Sequence, residues 1–265
     1  MKRLSLFSLF VGLCMAAHAW DYSSQETAVA QSAQLRLGAD FTKEWHNGIA
    51  LEASEELRFD MYNSLRGPSF RKSYTTLAFA YKPVQYFRLD AGYMLKLIGP
   101  DSTWSDAKRA DANEWIRHRV FASVTASYKF TYAKLYLRER VLMEARTDSV
   151  NLLEKNRFDF QLRSRLGAVF YVPGKPVKPY LWCELFNTLN APEYQQKNGR
   201  QYICSVRTQA GVKWRVSKLS SLNFFYRFTY DYDRDINITK KKARIELTEE
   251  TLFQHAVGVT YNLDW

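Results

Sequence analysis

Arginines recur along this chain two positions apart: Arg117 and Arg119, Arg138 and Arg140, Arg163 and Arg165. A guanidinium keeps its charge and offers a planar fork of donors that grips a carboxylate or phosphate two bonds at a time. Side chains two apart share one face of an extended strand. The chemistry to expect of such a face is attraction and guidance of anions. Arg88, Arg157, Arg207 and Arg227 fall on the same phase of their own segments, with Glu52, Asp90, Asp159 and Glu184 as acids among them.

Bond-making chemistry finds little support. Beyond the N-terminal leader the histidines are His46, His118 and His255, and none shares a face with a serine and a carboxylate in a triad-like order. Asp231, Asp233, Asp235 and Asn237 resemble the start of a calcium loop, but Ile236 stands where the sharp-turn glycine belongs and Lys242 where the closing glutamate belongs. Glycine-rich phosphate loops and Cys/His zinc spacings are absent. No catalytic residue, metal or cofactor is expected.

The elements that carry these residues are strands. Apolar and polar residues alternate with period two for about ten residues at a time, the signature of a strand with two different faces. The last segment sets Phe253, His255, Val257, Val259, Tyr261, Leu263 and Trp265 against Gln254, Ala256, Gly258, Thr260, Asn262 and Asp264. Comparable segments cover 35–41, 49–59, 73–81, 87–97, 115–129, 133–144, 157–170, 180–186, 202–214 and 222–231. Connections 82–86, 130–132, 172–177 and 216–220 are short, whereas 60–70, 99–114, 146–156, 187–201 and 231–250 are long and polar. Short turns at one end and long loops at the other, with apolar residues on one face throughout, predict an all-β, antiparallel, up-and-down transmembrane β-barrel. Aromatic girdles agree: Trp45, Tyr86, Phe87, Phe130, Tyr132, Tyr171, Trp214 and Trp265 at the short-turn end, Tyr62, Phe70, Trp104, Trp115, Phe186 and Tyr230 at the other. Eleven periodic segments are countable, but single-chain bacterial barrels have even strand numbers. The expectation is therefore twelve, with an extra strand hidden in 24–42, or ten.

Residues 1–19 read as a secretory signal peptide: Lys2 and Arg3, an apolar stretch, then Ala17-His18-Ala19 as the cleavage site. Residues 20–265 form one barrel domain. No apolar run is long enough for a spanning helix. Without Lys2 and Arg3 the 38 basic residues fall to 36 against 27 acidic, a formal +9. An exported chain meets no nucleic acid, so the expected surroundings are outer-membrane lipid and lipopolysaccharide, reached through the barrel-assembly machinery. The localisation is the cell outer membrane.

With the apolar face toward lipid, the lumen also receives Arg36, Arg58, Lys96, Lys129, Lys134, Lys213 and Arg215, and the acids Glu56, Glu144 and Asp231, so that cations outnumber acids about two to one. Glu55 and Glu139 fall on the lipid phase, which predicts a bulge near 138–140. Cys183 and Cys204 share the apolar phase of neighbouring strands. A hairpin centred near Glu193 sets them opposite each other as candidates for a disulfide, the alternative being two thiols in lipid.

Ending on Tyr261, Leu263 and the terminal Trp265, the last strand resembles the signal by which outer-membrane barrels are recognised for insertion. Together with the arginine-studded strands and the stretch 180–186 around Glu184, it is similar to an uncharacterised Gram-negative outer-membrane β-barrel family, a domain of unknown function. The charge pattern resembles that of acidic-sugar porins. The domain of unknown function brings no activity with it, so the functional reading rests on the lumen: a narrow channel for small anions or acidic oligosaccharides. The rival reading is a structural or partner-binding barrel whose lumen is closed by salt bridges.

Overall fold

In the computed structural model the described residues are 28–63, 69–99, 115–146, 158–190, 203–239 and 244–265. They form eleven strands: β1 Ala28–Glu44, β2 Ile49–Asn63, β3 Ser69–Val84, β4 Phe87–Ile98, β5 Ile116–Lys129, β6 Ala133–Arg146, β7 Phe158–Phe170, β8 Val177–Thr188, β9 Ser205–Arg215, β10 Ser220–Thr239 and β11 Arg244–Asp264. Each pairs antiparallel with its neighbours in sequence, and β1 closes the barrel against β11. The leader 1–19, Trp104 and Arg157 lie outside the described residues.

The strand number corrects the expectation of twelve or ten. Among the described residues the stretch around 24–42 contributes one long strand, and every periodic segment belongs to the wall. In an up-and-down meander with an odd number of strands the first and last run the same way. β1 and β11 accordingly pair parallel, from Ala28 with Glu250 to Thr42 with Asp264. β1 therefore begins at the long-loop end and β11 finishes at the short-turn end.

The last connection is also shorter than expected. The β10–β11 ladder continues to Thr239 opposite Arg244, with Ile236 and Ile238 in register with Leu247 and Ile245. β-branched and apolar residues at alternate positions favour extended chain there over a loop. Asp231, Asp233 and Asp235 consequently lie along a strand, and an extended backbone cannot wrap a cation as a calcium loop does.

Short turns fix the other end. Gly48 has a φ of 76° in the β1–β2 turn, and a Cβ there would sit 2.8 Å from the Lys82 carbonyl oxygen, so only glycine fits. Asn47 supports the turn by accepting the Ile49 N–H at 3.2 Å.

The sidedness is the reverse of an ordinary soluble domain. Leu77, Phe79, Leu89, Val124, Leu137, Phe224 and Val257 stand exposed on the outer face, while the buried residues include Gln34, Arg36, Asp90, Arg117, Glu144 and Glu184. Apolar residues normally fill the interior. Here the interior is a polar lumen.

Candidate functional site: the barrel lumen

Period-two pleating places alternate side chains of each strand in the lumen, and cross-strand register decides which of them meet. Across β6 to β9 one row reads Arg138, Arg165, Glu184, Arg207, each the register partner of the next. Glu184 is 1% exposed. Its carboxylate accepts from Arg138 Nη2 at 2.9 Å and from Arg165 Nε and Nη2, both at 2.9 Å, with Arg207 at 3.7 Å. One acid thus binds three guanidiniums.

Three further ion-pair centres line the lumen, two gathered on one carboxylate and the third on one guanidinium. Glu56 on β2 holds Arg58 at 2.5 Å and, more loosely, Arg36 at 3.7 Å and Arg227 at 3.9 Å, the last reaching from β10. Arg36 Nη2 donates to Gln34 at 2.9 Å and to Gln254 at 2.7 Å. Glu144 on β6 pairs with Arg119 and with Lys96 at 3.3 Å. Arg88 joins Glu52 at 2.5 Å to Asp90 at 2.6 Å, and Asp90 also accepts from Ser123 at 3.1 Å. Arg117 lies buried on the same inner face and donates to the Ile116 carbonyl at 3.2 Å.

Two arginines stand apart from these centres. Arg140 and Arg163 are register partners on β6 and β7. Arg163 donates to Gln161 Oε1 at 2.9 Å and lies 4.7 Å from the Phe186 ring, and Arg140 lies 4.2 Å from the Phe121 ring. Among the described residues neither reaches a carboxylate within ion-pair distance, and the buried Arg140 Nε has no acceptor.

Aromatic side chains inside the lumen are the part that residue-type reasoning missed. Tyr74 lies beneath Arg58 at 4.2 Å, Trp182 beneath Arg165 at 3.9 Å, and Phe186 beneath Arg207 at 4.4 Å. Phe186 is 4% exposed, which corrects its assignment to an outer aromatic girdle. The signal was present: Trp182 and Phe186 flank Glu184 at two positions on either side, on its own face. Such contacts each add about 0.5–2 kcal/mol when a guanidinium is partly desolvated. Four more rings occupy the space over cross-strand glycines: Phe121 over Gly92, Tyr136 over Gly167, Tyr180 over Gly211 and Phe225 over Gly258. A Cβ at any of these glycines would collide with the ring, so the absent side chain is what lets the ring pack against the wall.

Space remains along the barrel axis. A cavity of about 780 Å³ occupies the short-turn half and one of about 680 Å³ the long-loop half, and they share Asp40, Ser54, Thr76, Met94 and Arg140. The upper cavity is lined by eleven basic and seven acidic side chains, Asp159 and Asp231 among them. Its lower counterpart has Arg88, Arg140 and Lys213 against Asp40, Glu44, Glu52, Asp90 and Asp264. The cation surplus is therefore smaller than two to one and belongs to the long-loop half.

On the outer face, Glu55 and Glu139 stay where the alternation put them. The β6 ladders run without a register shift, so the bulge expected near 138–140 is not present. Hydroxyls supply the reason: Glu139 accepts from Ser164 at 2.6 Å, and Glu55 accepts from Thr75 at 2.5 Å and from Ser73. His118 and His255 also face outward, bonded to Tyr93 at 2.6 Å and Tyr226 at 2.7 Å. His46 lies in the β1–β2 turn.

The cysteines do not face each other. Register sets Cys183 opposite Thr208, four residues, or about 13 Å of strand, beyond Cys204. Cys204 lines the upper cavity and accepts from Thr188 at 3.5 Å. Both are thiols. The closing residues Tyr261 and Leu263 point outward, and Trp265 is stapled to β1 by its N–H on the Thr42 carbonyl at 2.7 Å and its carbonyl on the Glu44 N–H at 3.1 Å.

Among known proteins, residues 33–239 match a family described as protein of unknown function (DUF2490). No curated protein matches. Among solved structures, a NanC porin in a rhombohedral crystal form is similar, at 9% identity and a TM-score of 0.44, covering 74% of this chain and 86% of that one.

Proposed function

Because the chain belongs to that family of unknown function, we propose its role from the lumen itself: an outer-membrane barrel that passes small anions, with acidic oligosaccharides as the upper size class. The observation that carries this reading is the charge left over in the upper cavity once its acids are engaged. Glu184, Glu56 and Glu144 each hold two or three cations, yet among the described residues Arg140 and Arg163 keep their guanidiniums without a carboxylate in ion-pair distance. Unpaired guanidiniums lining water lower the cost of bringing an anion in and raise it for a cation. Screening reaches only about 8 Å at physiological salt, so the effect requires a narrow lumen.

The outward apolar face and the two turn lengths support a membrane location, with turns in the periplasm and loops outside. A second reading has its own observation. Arg227 reaches from β10 toward Glu56 on β2 and Lys96 from β4 toward Glu144 on β6, so ion pairs bridge strands that are not neighbours and narrow the passage. In that reading the barrel is a closed support whose long loops bind a partner. Planar-bilayer recordings of the purified protein decide between them: a chloride-favouring reversal potential supports the path, and absence of conductance supports the closed barrel.

A further inference from the structure

The two cavities meet at a waist lined by Asp40, Ser54, Thr76, Met94 and Arg140. Asp40 stands on β1 and Arg140 on β6, five strands apart one way and six the other around the ring, so they occupy opposite walls. Among the described residues neither has a partner of opposite charge within ion-pair distance, and Arg140 Nε is buried with no acceptor. Around Asp40 the strongest neighbouring charges are Glu56, then Lys213 and Glu52, whereas Arg138 and Arg165 are the first two acting on Arg140.

Unpaired opposite charges on facing walls create a field across the path instead of along it. A simple ion is drawn to one wall and repelled by the other. A solute bearing both charges gains at both walls when it turns its dipole along the field. Ser54 and Thr76 supply hydroxyls for the remaining polar groups, and Met94 is a flexible apolar surface that adapts to different shapes.

We propose that this waist favours small zwitterions, molecules with one carboxylate and one ammonium group, the carboxylate turned to Arg140 and the ammonium to Asp40. The inference rests on the lumen being an open path, and it adds a solute class that the cation surplus alone would not select.

Liposome swelling with the reconstituted full chain tests it at pH 8, where carboxylate and ammonium groups are both ionised. 4-Aminobutyrate is compared with the uncharged 4-hydroxybutyramide of similar size. Wild type is expected to pass the zwitterion about threefold faster, a ratio that a fraction of one charge–charge contact near a protein surface supplies. Asp40→Asn is expected to lose that preference while its chloride selectivity in planar bilayers rises, two opposite changes that a merely misfolded barrel would not show. Asp40→Glu is expected to keep the preference. Equal swelling rates in wild type, or a preference that survives Asp40→Asn, overturn the inference. Chloride-selective conductance with equal swelling overturns the waist alone, whereas a wild type without conductance overturns both this and the open path.

Discussion

Arg140 and Arg163 face each other across the β6–β7 ladder with no carboxylate among the described residues in ion-pair distance, while Arg138 and Arg165, one rung along the same inner face, share the single carboxylate of Glu184. Four guanidiniums that look alike in the sequence are two different pairs. Replacing both Arg140 and Arg163 by Gln is expected to move the reversal potential toward cations with assembly retained, since neither is half of an ion pair. An unchanged reversal potential in that double variant would remove these two residues from the anion path.

Glu184 acts as the keystone of the other pair. Glu184→Gln leaves Arg138, Arg165 and Arg207 without their acid in a nearly inaccessible position, which costs about 3–5 kcal/mol for a broken buried pair. The folded, heat-modifiable form should convert at a lower temperature on gels. If the variant still conducts, its preference for chloride should increase. A variant as heat-resistant as wild type would show that the three arginines find other acceptors.

The ring-on-glycine pairs pack inward-facing rings against the barrel wall. A Cβ added at Gly211 would meet Tyr180 Oη and the Phe224 carbonyl at 2.6 Å. Gly211→Ala must therefore push the ring off the wall, at a cost of about 1–3 kcal/mol for overpacking. Single-channel conductance should fall without a change in ion preference, because no charge is altered. Unchanged conductance would mean that the ring does not border the path.

Trp265 carries the final rungs between β11 and β1. Parallel pairing is slightly weaker per residue than antiparallel, so the closing seam has little to spare at its end. Deleting Trp265, or replacing it by Asp, is expected to block assembly in cells. Normal heat-modifiable migration of the deletion variant would count against both the seam and the insertion signal.

Cys204 offers a test that needs no mutation of the lumen. Alkylation of the intact protein without reductant should add two groups by mass spectrometry, since register keeps Cys183 and Cys204 apart. An anionic methanethiosulfonate should modify Cys204 faster than a cationic one, relative to their rates with a small thiol, because the thiol lines the cation-rich cavity. The reverse order would contradict the charge assigned to that cavity.

What the sequence determined by itself is what depends on near neighbours along the chain. The pleat has a period of two, so alternation alone assigned Arg138, Arg140, Arg163, Arg165, Arg207 and Arg227 to one face and Leu137, Leu166, Tyr261 and Leu263 to the other. Turn lengths ordered the two ends in the same way. The same alternation, carried two positions either side of Glu184, puts Trp182 and Phe186 inside as well, but ring type alone sends Phe186 to a girdle and passes over Trp182. Tertiary structure decided everything that depends on register, closure and radius. Register chose Glu184 for Arg138 and Arg165 over Arg140 and Arg163, and separated Cys183 from Cys204. Closure with eleven strands turned the β1–β11 seam parallel, which no single segment encodes. The radius of the ring brought Arg227 of β10 toward Glu56 of β2 and set Asp40 against Arg140 across the waist, because contacts between strands that are not neighbours exist only once the sheet has curved shut.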